Sequence, residues 1–106
     1  MTRSADFRTT LRRGRRVPTD NTVIHVLDRG GHEPTRFGFI VAKTVGGAVT
    51  RNLVRRRLRA GCFEVLSTAG TGVDVVIRAL PASAVASWAT LQSEIAEAIT
   101  KGMARA

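Results

Sequence analysis

The sequence predicts a single small α+β domain, a sandwich of helices on a small sheet in the order helix, strand, strand, an optional further strand, helix, strand, helix. Three observations predict it. The 106 residues suit one compact domain. Apolar residues recur with period two in three short segments and with helical period in the segments between and after them. Glycine-rich or proline-containing stretches separate these segments, with no internal repeat or low-complexity tract. Pattern alone leaves an α/β version of the sandwich open.

Ser4-Ala5-Asp6 can cap a first helix, because Ser and Asp side chains accept hydrogen bonds from the orphan amides of a first turn. Phe7 and Leu11 share one face of it, and Gly14 ends it. Residues 17–21 read as a turn-rich connection. Thr22–Asp28 is a strand, with Val23, His25 and Leu27 on one side and Ile24 and Val26 on the other. Residues 28–34 read as a hairpin loop leading to a second strand over residues 36–43. There Phe37, Phe39 and Val41 alternate with Gly38 and Ile40. Gly46-Gly47 breaks this strand, and a helix follows over about residues 49–66, burying Val54, Leu58, Cys62 and Val65. After a loop at residues 68–72, Val73–Ala79 is a third strand. An alanine-rich helix over roughly residues 83–101 turns Val85, Trp88, Leu91, Ile95 and Ile99 toward the core.

Composition narrows the function. The apolar stretches fall far below the ~20 residues that cross a bilayer, and residues 1–16 lack the apolar core of a signal peptide. One cysteine excludes an internal disulfide, and with two histidines it cannot complete a zinc site. A reducing cytoplasm is the expected compartment. The net charge is +9, from 17 basic and 8 acidic residues. Residues 1–59 hold 14 basic and 4 acidic groups, a net of +10, whereas residues 60–106 are net −1. So uneven a distribution points to a dedicated surface for a polyanion. The abundance of arginine decides nothing: its fork suits phosphate, but a GC-rich genome raises arginine everywhere.

The sharpest local feature is Arg51-Asn52-Leu53-Val54-Arg55-Arg56-Arg57-Leu58-Arg59. Asn52, Arg55, Arg56 and Arg59 follow helical spacing and line one face, while Val54 and Leu58 anchor another. Like charges so placed repel by a few tenths of a kcal/mol per pair, roughly. A helix face serving only as solvated surface interleaves acids, yet none occurs between Glu33 and Glu64. A rigid row of guanidinium groups can follow a phosphate backbone, positioning the nucleic acid without reading its sequence. The glycines before the helix also let such a backbone approach its N-terminal amides. The stripe by itself fits an RNA-binding protein, a ribosomal protein or a DNA-recognition helix. The last expects a helix-turn-helix, whereas strand and glycine turn precede it here.

The order around the stripe is more specific. Residues 36–43 (Arg-Phe-Gly-Phe-Ile-Val-Ala-Lys), then Val45-Gly46-Gly47-Ala48-Val49-Thr50-Arg51-Asn52, then Arg55-Arg56-Arg57-Leu58-Arg59, resemble the signature of the bacterial ribonuclease P protein family. Asp6-Phe7 with Gly14 is similar to that family's first helix, and Val75-Val76-Ile77-Arg78 to its late strand. The match spans about residues 3–80.

The resemblance implies a left-handed βαβ crossover and a subunit of an endoribonuclease that removes the 5′ leader of precursor tRNA, with the bond chemistry in the RNA. It implies that Lys43, Arg51, Asn52, Arg55, Arg56 and Arg59 bind the catalytic RNA. It also implies a cleft for the single-stranded leader at Phe7, Leu11, Val23, His25 and Ile40, whose side chains otherwise read as core. The implied partners are the ribonuclease P RNA and precursor tRNA, with no membrane and no obligatory protein partner. Mg²⁺ is expected on the RNA, and the chain carries no catalytic or metal-ligating constellation in its scattered acids. Three positions depart from the family pattern: Thr44 replaces a frequent Lys, Gly47 a usual Asn, and Leu53 the second Arg of Arg-Asn-Arg, for which Arg55, Arg56 and Arg57 are expected to compensate. Family members carry a basic extension before the Asp-Phe pair, so the natural start is expected upstream of Met1 unless the chain is truncated.

Overall fold

The computed structural model describes residues 4–103; the expectation about Met1 lies outside them. Helices α1 (Ser4–Arg13), α2 (Ala48–Ala69) and α3 (Trp88–Met103) pack on strands β1 (Arg15–Pro18), β2 (Thr22–Asp28), β3 (Arg36–Ile40) and β4 (Val73–Ala79). The four strands form one mixed sheet in the order β1-β2-β4-β3. β2 runs antiparallel to β1 and β4, and β3 runs parallel to β4. The α+β class therefore holds, with one parallel pair joined through α2.

The hairpin expected at residues 28–34 does not form, because β4 lies between β2 and β3. The reason is legible in β4: Val-Asp-Val-Val-Ile is buried almost throughout, and a strand covered on both faces belongs in the middle of a sheet. The connection instead crosses the end of β4. Arg29 N–H donates to Gly72 O, and Gly72 N–H donates to Glu33 O, each at 2.7 Å. A side chain at Gly72 would sit 2.5 Å from Gly30 O, and its φ is +74°, so only glycine suits this crossing.

Other boundaries shift for similar reasons. The strand expected over residues 36–43 ends at Ile40, and Lys43–Val45 form a 3-10 turn. The connection at residues 17–21 begins inside β1, whose Val17 pairs with Ile24 at the sheet edge. α2 runs three residues beyond the expected 66, to Ala69. The last helix starts at Trp88 rather than near residue 83, since Pro81–Ala84 make a 3-10 turn first. Val85 is consequently 90% exposed and Trp88 41% exposed, so neither joins the core.

The core lies between one sheet face and helices α2 and α3. Ile24, Val26, Val75 and Ile77 meet Val54, Leu58, Cys62 and Val65 of α2 and Leu91, Ile95, Ala98 and Ile99 of α3. Glu94 of α3 fixes the β1–β2 turn by accepting from Thr19 Oγ1 at 2.7 Å and Asn21 Nδ2 at 2.5 Å. α1 packs on the opposite face, against β2 and β4.

Candidate nucleic-acid interface

Strand pairing builds the first candidate surface. His25 of β2 stands opposite Val76 of β4, which stands beside Gly38 of β3. One row along, Val23 faces Arg78, and Arg78 pairs with Ile40. Directly opposed residues share a face, so Val23, His25, Val76, Arg78 and Ile40 all point away from the main core. α1 crosses this face, seating Thr10 fully buried and leaving Phe7 and Leu11 half-buried. The Phe7 ring rests on Gly38, where an added Cβ would lie 2.5 Å from Phe7 Cζ. All five residues expected at the cleft are thus brought together on one face.

Sequence reasoning missed the rest of this face. Arg16 of β1 stands opposite His25, and both Arg16 and Arg78 are exposed beside the apolar floor. Val76 and Arg78 are two apart on β4 and so share a face, and the pairing shows which residues they join. His25 Nδ1 is buried without a hydrogen-bond partner among the described residues. Desolvation, then the charges of Arg78 and Arg16, lower the His25 pKa from its ordinary value. Burial beside two cations therefore disfavours the charged imidazolium.

An ion network fixes α1 over the sheet. Arg36 donates from Nε and Nη2 to the two carboxylate oxygens of buried Asp74 at 2.8 and 2.7 Å. Its Nη1 reaches Asp6 of α1 at 3.2 Å. Arg29 Nε adds a charge contact to Asp74 Oδ1 at 2.9 Å, outside hydrogen-bond alignment. The Asp74 hydrogen bond raises the Arg36 pKa, keeping the guanidinium charged. Asp6 thus works as an anchor between helix and sheet.

The second surface is the outer face of α2. Asn52, Arg56 and Arg59 are exposed and Arg55 is half-exposed, while Val54 and Leu58 are fully buried. Arg51 turns partly inward, and its buried Nε lacks a hydrogen-bond partner among the described residues. Lys43 is exposed on the 3-10 turn leading to α2. Arg57 departs from expectation: its Nη1 donates to Ala86 O at 2.9 Å, so it braces the approach to α3 rather than compensating for Leu53. Gly47 occupies the helix N-cap, where its carbonyl accepts from Arg51 N–H at 2.9 Å.

Burial pushes the Cys62 thiol up, away from the reactive thiolate. No group of three His, Cys, Asp or Glu side chains among the described residues could hold a metal. No helix among them is long and apolar enough to cross a membrane.

Fold and surfaces together define a small, strongly basic α+β domain with an arginine-faced helix and, on the opposite sheet face, an apolar patch covered by α1 and flanked by Arg16 and Arg78. The family model described as Ribonuclease P matches residues 1–102. The ribonuclease P protein component of Clavibacter michiganensis is 48% identical over 103 residues, 97% of this chain and 91% of that protein. That of Pseudarthrobacter chlorophenolicus is 48% identical over 102 residues, 96% of this chain and 75% of that one. Among solved structures, the Staphylococcus aureus RNase P protein superimposes with a TM-score of 0.82 at 21% identity, over 97% of this chain and 94% of that one. The Thermotoga maritima protein, in complex with 1-(4-fluorophenyl)-2-thiourea, gives 0.83 at 17% identity, over 95% and 97%; both share the fold. The chain belongs to the ribonuclease P protein family.

Proposed function

We propose that this chain is the protein subunit of a ribonuclease P holoenzyme, binding the catalytic RNA through α2 and the 5′ leader of precursor tRNA through the cleft beneath α1. The observation that carries the reading is the division of labour on the surface. One face presents cations with few neutralising partners among the described residues; the other carries α1 over a buried apolar floor of Val23, His25 and Val76, with Phe7, Leu11 and Ile40 half-exposed and Arg16 and Arg78 exposed at its edges. Lys43, Arg51, Asn52, Arg55, Arg56 and Arg59 neutralise RNA phosphates, which fixes register without reading sequence. Phe7, Leu11, Val23, His25 and Ile40 receive unstacked leader bases, with Arg16 and Arg78 beside the leader backbone.

The protein performs no bond cleavage on this reading. No cluster of donors among the described residues suits the Mg²⁺ that the resemblance implies, and on this reading the RNA holds that ion. By neutralising phosphates, the protein lowers the Mg²⁺ the RNA needs. By holding the leader, it favours precursor over mature tRNA. The cytoplasm, where tRNA precursors are made, is the compartment this activity requires.

Competition between precursor and mature tRNA for the reconstituted holoenzyme tests the cleft. Phe7→Ala is expected to weaken precursor binding by roughly 5- to 100-fold, from ~1–3 kcal/mol per stacked base, and to leave mature tRNA binding unchanged. Equal loss for both ligands would refute a leader-specific cleft.

A further inference from the structure

We propose that Phe63 is a stacking platform for an unstacked base of the catalytic RNA, extending the arginine row of α2 past its last cation; this rests on assigning that row to the RNA. Phe63 is 76% exposed on α2, as is Val49 (85%) in the helix's first turn, but Phe63 is the aromatic of the two. A single exposed apolar side chain is ordinary. Its position is what carries the argument. Phe63 follows Arg59 by four residues, Arg56 by seven and Asn52 by eleven. At 3.6 residues per turn these four side chains fall within roughly 60° of arc, so the ring stands in line with the exposed cations.

Phe63 also walls a groove of about 440 Å³ between α2 and the edge strand β3. Phe37, Phe39 and Cys62 supply its other apolar walls, and Arg59 lies at its margin. Arg36 lines it too, but its charge is met by Asp74 and Asp6. An aromatic face beside an unneutralised arginine suits a base and its phosphate together, since every base has a π-face. A second copy of the chain fits poorly. A two-fold contact here would set Arg56 and Arg59 against their own copies, with no acid between residues 34 and 63 to offset them.

The test uses a transcript of the cognate ribonuclease P RNA, titrated with wild-type protein and with Phe63→Ala, Phe63→Leu, Phe63→Tyr and Arg59→Ala across a salt series. Melting curves confirm that each variant folds. Phe63→Ala and Phe63→Leu are expected to weaken binding by about 5- to 100-fold with the salt slope unchanged, and Phe63→Tyr to retain affinity. Arg59→Ala is expected to reduce the slope by about one, as one phosphate contact is lost. Wild-type affinity in Phe63→Ala, or in Phe63→Leu, would overturn stacking while leaving RNA binding by the row intact. So would a wild-type dimer in sedimentation that Phe63→Ala dissolves. A wild-type protein that fails to bind the transcript would overturn both readings.

Discussion

At the scale of single residues, His25 shows how strand pairing changes a side chain's chemistry. Alternation in Thr22–Asp28 was enough to place it beside Val23, because that signal is local. Its two cationic neighbours come from β1 and β4, so their effect was invisible until the sheet was assembled. The sign of its pH dependence follows. Below its ordinary value of 6.5 the unfolded chain binds a proton that folded His25 resists, so His25's share of stability is complete above 6.5 and is lost as pH falls through the lowered folded value. Thermal unfolding from pH 7.5 to 5 is expected to show a falling midpoint, with a smaller fall in His25→Gln. Gly47 gives a second prediction at this scale. A Cβ there meets nothing within 4 Å, and asparagine is a better N-cap than glycine. Gly47→Asn is expected to raise stability by a few tenths of a kcal/mol, roughly, and chemical denaturation will read the change. No steric requirement holds glycine at this position.

Among the elements, α2 and β4 were the most legible and β1 the least. A twenty-two-residue helix with a strict apolar stripe announces itself through spacing, and a near-continuous valine run announces a buried strand. A four-residue edge strand with burial on one residue carries almost no period. The missing hairpin has the same cause, since a glycine loop between two strands specifies a reversal but not the partner. The near-continuous apolar run of β4 marks a central strand, and the strands on either side of it are set by the fold. The attachment of α1 is the element-scale prediction. Arg36→Met leaves Asp74 buried with only Arg29 beside it and frees Asp6, and is expected to cost about 2 kcal/mol. Amide exchange should show α1 opening more readily than α2. Uniform loss of protection across the chain would argue that the network serves the whole fold rather than the helix.

For the molecule as a whole, the proposed function separates two tasks. The core beneath α2 and α3 holds the cationic row rigid, and the opposite sheet face, spared from that core, is left to α1 and the cleft. The charge imbalance along the chain is distributed by the fold over α1, the edge of the opposite sheet face and the outer face of α2. The most direct test is cleavage of precursor tRNA by the cognate ribonuclease P RNA at low Mg²⁺, with wild-type protein, with the Arg56→Ala/Arg59→Ala double variant, and with no protein. The account predicts efficient cleavage with the wild type and a loss in the double variant that added Mg²⁺ restores. Wild-type protein that binds the RNA yet leaves low-Mg²⁺ cleavage at the level of RNA alone would contradict it.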